Sequence, residues 1–169
     1  ARKSAEFGAK VAVVEEAALG GTCVNVGCIP KKLYVYASEY AAAWRESPGF
    51  GWQTEGVSFD WNTLRDNKIN EIARLNAVYA HLLEAPGVDI VKGHGALAGP
   101  QEVVVDKSRY RAEKILLATG TWPAMPEIPG IELALTSNEI FDIERFPERL
   151  LIVGGGYIAT EFASIFSGL

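Results

Sequence analysis

The chain has 169 residues, 49 % of them hydrophobic, a net charge of −5 and two cysteines. It has no basic stripe of the kind that grips nucleic acid, and no apolar run near the ~18 residues of a membrane span, so neither partner is expected. Two cysteines in a chain this long do not make a disulfide framework.

In chain order, residues 1–7 read as the tail of a helix closed by Gly8. Residues 10–14 form a short β-branched strand ending at Glu15. A dinucleotide fold places a strand and a glycine turn ahead of such a helix, and an acid about 20 residues later to hold the ribose hydroxyls. Glu15 stands where that acid belongs, so the chain is expected to start inside the first helix of a βαβ unit.

Residues 20–32, Gly-Gly-Thr-Cys-Val-Asn-Val-Gly-Cys-Ile-Pro-Lys-Lys, hold Cys23 and Cys28. On one ideal helix, residues five apart lie roughly 8–9 Å apart at Cα, beyond the ~7 Å that a disulfide spans. Joining them requires a distorted turn, and Gly27 supplies the backbone freedom. A bond forced there suits exchange better than stapling. Reduced core cysteines, a structural bridge or half of a metal site remain alternatives, although His81 and His94 sit in no ligand spacing.

Leu33, Tyr36, Ala37, Tyr40, Ala41 and Trp44 then recur at helical steps, predicting a helix that ends near Pro48-Gly49 with these residues as its apolar face. A second helix is predicted over 60–83, with Asp60 as N-cap and Trp61, Leu64, Ile72, Leu75, Tyr79 and Leu82 on one side. Strands follow near 88–91, 103–105 and 114–118. Residues 122–130 carry Pro123, Pro126 and Pro129 and read as an interdomain crossing. A last strand over 149–153 runs into Gly154-Gly155-Gly156-Tyr157-Ile158-Ala159 and a helix. This is Gly-x-Gly-x-x-Ala in the strand, turn, helix context of a pyrophosphate site.

Together these motifs resemble the flavin-dependent pyridine nucleotide-disulfide oxidoreductases along essentially the whole chain. The resemblance rests on residues 20–32, Leu75-Asn76-Ala77-Val78-Tyr79, Gly93-His94-Gly95, residues 115–120 and residues 154–161. Pro30-Lys31-Lys32 points to the glutathione reductase branch, since other branches usually carry Pro-Ser-Lys, while large thioredoxin reductases share the Lys-Lys form. The implied fold is α/β, with FAD/NAD(P)-binding Rossmann-like domains around a central parallel sheet, incomplete at both ends. Residues 1–120 would be an FAD domain lacking its first strand and glycine turn, and 121–169 a linker and the start of an NAD(P)H domain.

The resemblance implies FAD and NADPH as cofactors, glutathione disulfide as substrate, a homodimer, a reducing cytoplasmic compartment and no metal. Cys28 would be the thiol beside the flavin and Cys23 the exchange thiol, with Lys31 near the flavin and Glu161 pairing with it. Glu15, Gly21, Thr22, Cys23, Lys31, Gly95, Thr119 and Gly120 would line FAD. Gly154, Gly155, Gly156, Tyr157, Ile158 and Glu161 would meet NADPH. Arg2 occupies the position where glutathione reductases present a guanidinium and trypanothione reductases an aromatic. Tyr79 matches a tyrosine that packs on the substrate. Gly95 departs from the usual Ala beside the adenine, a contact made through backbone. A redox-inactive FAD-binding module is the expectation from another class, and the 169 residues alone are expected to be inactive.

Overall fold

A computed structural model describes residues 1–53 and 55–169. Its contacts gather the chain into two compact units, Ala1–Gly21 with Ala73–Thr121, and Thr22–Ile72 with Trp122–Leu169. The class is α/β, as the sequence predicts.

In the first unit, helix α1 (Arg2–Glu6) leads through Gly8 into strand β1 (Ala12–Glu15). After the C-terminal part of helix α4 (Trp61–Glu84), strand β2 (Asp89–Lys92) pairs with β1 in parallel, Val13 opposite Ile90 and Glu15 opposite Lys92. Strands β3 (Gly95–Gly99), β4 (Glu102–Val105) and β5 (Ser108–Arg111) form an antiparallel meander. Its β4 to β5 turn puts Asp106 at φ 54°, a left-handed conformation that Asp tolerates better than most residues. Val88 and Val105 are buried here, and Asn76 Nδ2 donates to the Leu19 carbonyl at 2.8 Å.

In the second unit, α2 (Gly21–Val26) and α3 (Cys28–Glu46) are separated only by Gly27. Helix α4 (Trp61–Glu84) begins where expected, the Asp60 carboxylate accepting the Thr63 N–H at 2.7 Å. Helix α5 (Tyr157–Gly168) closes the unit. The core is mainly aromatic: Tyr34, Trp61, Phe141, Phe162 and Phe166 cluster with Ile140 and Ile165. Ring centroids lie 5.1 Å apart for Phe141 and Phe162 and 5.2 Å for Tyr34 and Trp61, distances at which tilted and edge-on aromatic pairs are favourable.

Three expectations need correction. The face predicted for α3 is largely the solvent face: Tyr36, Tyr40 and Trp44 are 48 %, 63 % and 42 % exposed, while Pro30 and Tyr34 are buried. Aromatic residues lie on both sides of this helix, and the side that also offered Tyr34 a hydrogen-bond partner took the core. Residues 114–118 and 149–153 form no strand, with Leu116, Leu151 and Val153 almost fully exposed. A strand exists only through a neighbour's hydrogen bonds, and no described residue pairs with either run. Strands β3 and β5 were not predicted, since Gly95–Gly99 and Ser108–Arg111 lack a β-branched run.

Candidate active site

Gly27 sets the geometry of the thiols. Its φ of −145° and ψ of −116° end α2 and start α3, and a Cβ added there would sit 2.8 Å from the Thr22 carbonyl oxygen and 3.3 Å from the Cys23 Cα. Only a residue without a side chain lets the last turn of α2 fold back onto the start of α3. That break replaces the ideal-helix separation and brings the sulfurs within reach of one another.

Cys23 and Cys28 are both exposed free thiols. A hydrogen bond with the Cys28 thiol, and secondarily burial, hold Cys23 above an ordinary thiol's pKa.

One turn along α3, Lys31 Nζ donates to Glu161 Oε1 on α5 at 2.7 Å, so residues 130 positions apart meet in the pairing that the family resemblance implies. Glu161 is the main cause of a raised Lys31 pKa, with smaller contributions from Cys28 and Tyr157 in the same sense. One cluster in this unit thus holds two thiols, an ammonium, a carboxylate and a phenol. Their positions follow from two helix starts, α3 at Cys28 and α5 at Tyr157.

The glycine turn before α5 suits an anion. Gly154 takes φ +124°, and Gly155 and Gly156 face open space. Helix α5 has no side-chain cap and no acid in its first turn, leaving its N–H groups available to a pyrophosphate. Tyr157 beside it is 78 % exposed, and Ile158 is exposed too.

The other predicted site residues belong to the first unit, apart from Thr22, which is exposed on α2. There Glu15 ends β1 as expected and accepts the Ala17 N–H at 2.9 Å. Gly95 starts β3, where an added Cβ would lie 3.1 Å from Val14 Cγ1, so glycine lets β3 approach the β1 strand. Gly21, Thr119 and Gly120 are exposed, with Gly21 and Gly120 at positive φ. Tyr79 is 40 % exposed. Arg2 Nε is engaged by Glu6 Oε1 at 2.9 Å, and Lys3 Nζ by Glu6 Oε2 at 2.6 Å. Sequence reasoning passed over Glu6, although its four-residue spacing from Arg2 was a readable signal. It also missed the His94 to Glu16 contact at 2.7 Å, which joins residues 78 positions apart and leaves no local trace.

The family model described as pyridine nucleotide-disulphide oxidoreductase matches residues 1–169. The chain belongs to the pyridine nucleotide-disulphide oxidoreductases. Among curated relatives of these oxidoreductases, it is 48 % identical over 169 residues to a glutathione reductase of Burkholderia cepacia, covering 100 % of this chain and 38 % of that one. It is 41 % identical over 168 residues to a Nostoc glutathione reductase, 99 % and 37 % of the two chains. It is also 44 % identical over 163 residues to a trypanothione reductase of Trypanosoma congolense, 89 % and 33 % of the two. A solved family structure, the Cu(II) complex of the HOCl-induced flavoprotein disulfide reductase RclA from Escherichia coli, superposes with a TM-score of 0.84 at 28 % identity, covering 99 % of this chain and 36 % of that one. The chain therefore spans under two fifths of the length of these oxidoreductases. Among its described residues no helix is long and apolar enough to cross a membrane, and no group of three or more His, Cys, Asp or Glu side chains is arranged to hold a metal.

Proposed function

We propose that this chain is the thiol-bearing part of an NADPH-dependent flavoprotein that reduces glutathione disulfide. The observation that carries the reading is the placement of the Cys23 and Cys28 thiols next to the Lys31 to Glu161 ion pair. Residues 1–120 would then belong to an FAD-binding domain and 121–169 to the start of an NADPH-binding domain, in a cytoplasmic homodimer.

The exchange step follows from the two thiols. Cys23 loses its proton and attacks one sulfur of glutathione disulfide, so a mixed disulfide forms and one glutathione leaves as thiolate. Cys28 then attacks the Cys23 sulfur, closing the Cys23–Cys28 bond and releasing the second glutathione. One dithiol and one disulfide thus become one disulfide and two thiols, two electrons passing to the substrate. Bound FAD, reduced by NADPH, would supply the two electrons that reopen the Cys23–Cys28 bond. Gly154, Gly155 and Gly156 fit the nucleotide pyrophosphate, with Tyr157, Ile158 and Glu161 beside it. Glu15, Gly21, Thr22, Gly95, Thr119 and Gly120 would serve FAD, while Lys31 holds positive charge one turn from Cys28.

Arg2 and Tyr79 are assigned to the substrate. Glu6 takes the Arg2 Nε, which leaves the two terminal nitrogens as a fork for a substrate carboxylate. This Arg favours glutathione disulfide over trypanothione disulfide. The test is NADPH oxidation by the full-length protein, offered glutathione disulfide, trypanothione disulfide or oxidised thioredoxin in turn. Turnover dependent on glutathione disulfide is expected, and turnover with only one of the other two would replace the substrate assignment. A protein that binds FAD but whose flavin NADPH leaves oxidised would be a binding module.

A further inference from the structure

Four consecutive residues, Phe141 to Glu144, are each held by a side chain from α3 or α4. Tyr34 Oη donates to the Phe141 carbonyl at 2.7 Å, and Lys68 Nζ pairs with the Asp142 carboxylate. Trp61 Nε1 donates to the Ile143 carbonyl at 2.9 Å, and Arg65 Nη1 to the Glu144 carbonyl at 3.2 Å. Trp61, Arg65 and Lys68 follow one another at steps of four and three, so they share one face of α4. Asp66 accepts from the Nε and Nη2 of Arg65, leaving Nη1 for the carbonyl.

Plain core packing does not require this arrangement. Lys68 is only 4 % exposed, and burying an ammonium is costly unless it is paired. Ordering long Lys and Arg side chains also costs rotamer entropy. Polar side chains spent in this number on a segment of four residues fix that segment's position as well as filling space.

The segment lies between the two helices that carry the charged pair. The Phe141 ring centroid is 5.8 Å from that of Tyr34 and 5.1 Å from that of Phe162. Tyr34 is one turn beyond Lys31 on α3, and Phe162 directly follows Glu161 on α5. We propose that Tyr34, Trp61, Arg65 and Lys68 are positioning residues that clamp residues 141–144, making Phe141 the spacer that sets α5 against α3 and so holds Glu161 on Lys31. The inference rests on the reading above for the consequence in catalysis, while the clamp itself is a statement about geometry.

The test uses Tyr34→Phe, which keeps the ring and removes one hydrogen bond, and Lys68→Met, which keeps the length and removes the charge. Both are made in the full-length flavoprotein. Flavin reduction by NADPH, followed by stopped-flow absorbance, should slow about three- to tenfold in each, the scale of one lost hydrogen bond. Reoxidation of the reduced protein by glutathione disulfide should keep its parent rate. The Lys31 titration midpoint, read from 13Cε-lysine NMR, should fall toward the ordinary lysine value as Glu161 is released. If Lys68→Met does not fold, Trp61→Phe takes its place. Parent reduction rates together with a parent Lys31 midpoint in Tyr34→Phe and its companion would overturn the clamp. Should Glu161→Gln itself leave flavin reduction untouched, the catalytic reading fails, and a shifted Lys31 midpoint in Tyr34→Phe would still uphold the clamp.

Discussion

Ser38 and Gly168 meet where α3 and α5 approach closely: a Cβ on Gly168 would lie 2.8 Å from the Ser38 Cβ. Lys31 and Glu161 meet seven residues earlier on both helices, so α3 and α5 run side by side in the same sense over about 10 Å, two turns. One end of this contact is polar and the other is nearly bare backbone.

Gly168→Ala tests the bare end. Ala gains ~0.5–1 kcal/mol in helix propensity, but overpacking against a main-chain-borne atom costs ~1–3 kcal/mol, so a net loss is expected. The urea midpoint of the full-length protein should fall. A midpoint that rises would mean the helices separate freely.

Gly27→Ala should disturb the thiols rather than the global fold. An added Cβ there would crowd the Thr22 carbonyl and the Cys23 Cα. An overpacking cost of ~1–3 kcal/mol falling unequally on the dithiol and disulfide forms would shift the reduction potential of the pair by about 20–60 mV. Equilibration in glutathione buffers measures it. Gly49→Ala, with open space around it, serves as the control and should leave the potential unchanged.

The two cysteines should separate by spectrum. In the full-length protein, Cys23→Ser should retain a long-wavelength band from a thiolate donating to oxidised flavin, but lose disulfide reduction. Cys28→Ser should lose the band. The reverse pattern would exchange the roles.

Lys31→Met and Glu161→Gln should each slow flavin reduction by NADPH, and the double variant should be slower by less than the product of the two effects. Glu161 raises the Lys31 pKa, so the pair's stabilisation is complete below the ordinary lysine value near 10.4 and is lost as pH rises through the raised folded value. The stability difference between parent and Glu161→Gln should therefore be flat from pH 7 to about 9 and shrink above about 10.5. A difference independent of pH up to 12 would remove the pair as its cause.

Arg2→Ala should raise the KM for glutathione disulfide about tenfold with little change in kcat, the pattern of a lost charge-assisted contact made equally in ground and transition states. Steady-state kinetics checks it, and an unchanged KM would make Arg2 a surface charge.

Much of the thiol site was legible because its determinants are local. The pairing of Lys31 with Glu161, 130 positions away, was implied only by the family resemblance, whereas Gly27 between two cysteines and a glycine run opening α5 each lie within a few residues of the feature they create. Asp60 at the start of α4 was readable for the same reason. Tyr34 was not, because its burial depends on the Phe141 carbonyl 107 positions away. Lys68 was hidden similarly, its partner Asp142 lying 74 positions on. The runs at 114–118 and 149–153 have the composition of strands, yet composition describes a propensity and pairing needs a neighbour.

The shared direction of α3 and α5 has an electrostatic consequence. Each helix carries roughly half a positive charge at its N-terminus. Here the starts at Cys28 and Tyr157 lie nearly level, since Lys31 is three residues and Glu161 four residues inside its helix. The two partial charges add, neither helix has an acid in its first turn to offset them, and Lys31 contributes a full positive charge at the same level. Glu161 is the counter-charge in this small field. Its carboxylate lets a cation sit where helix dipoles disfavour one, and leaves a net positive environment around whatever anion forms there.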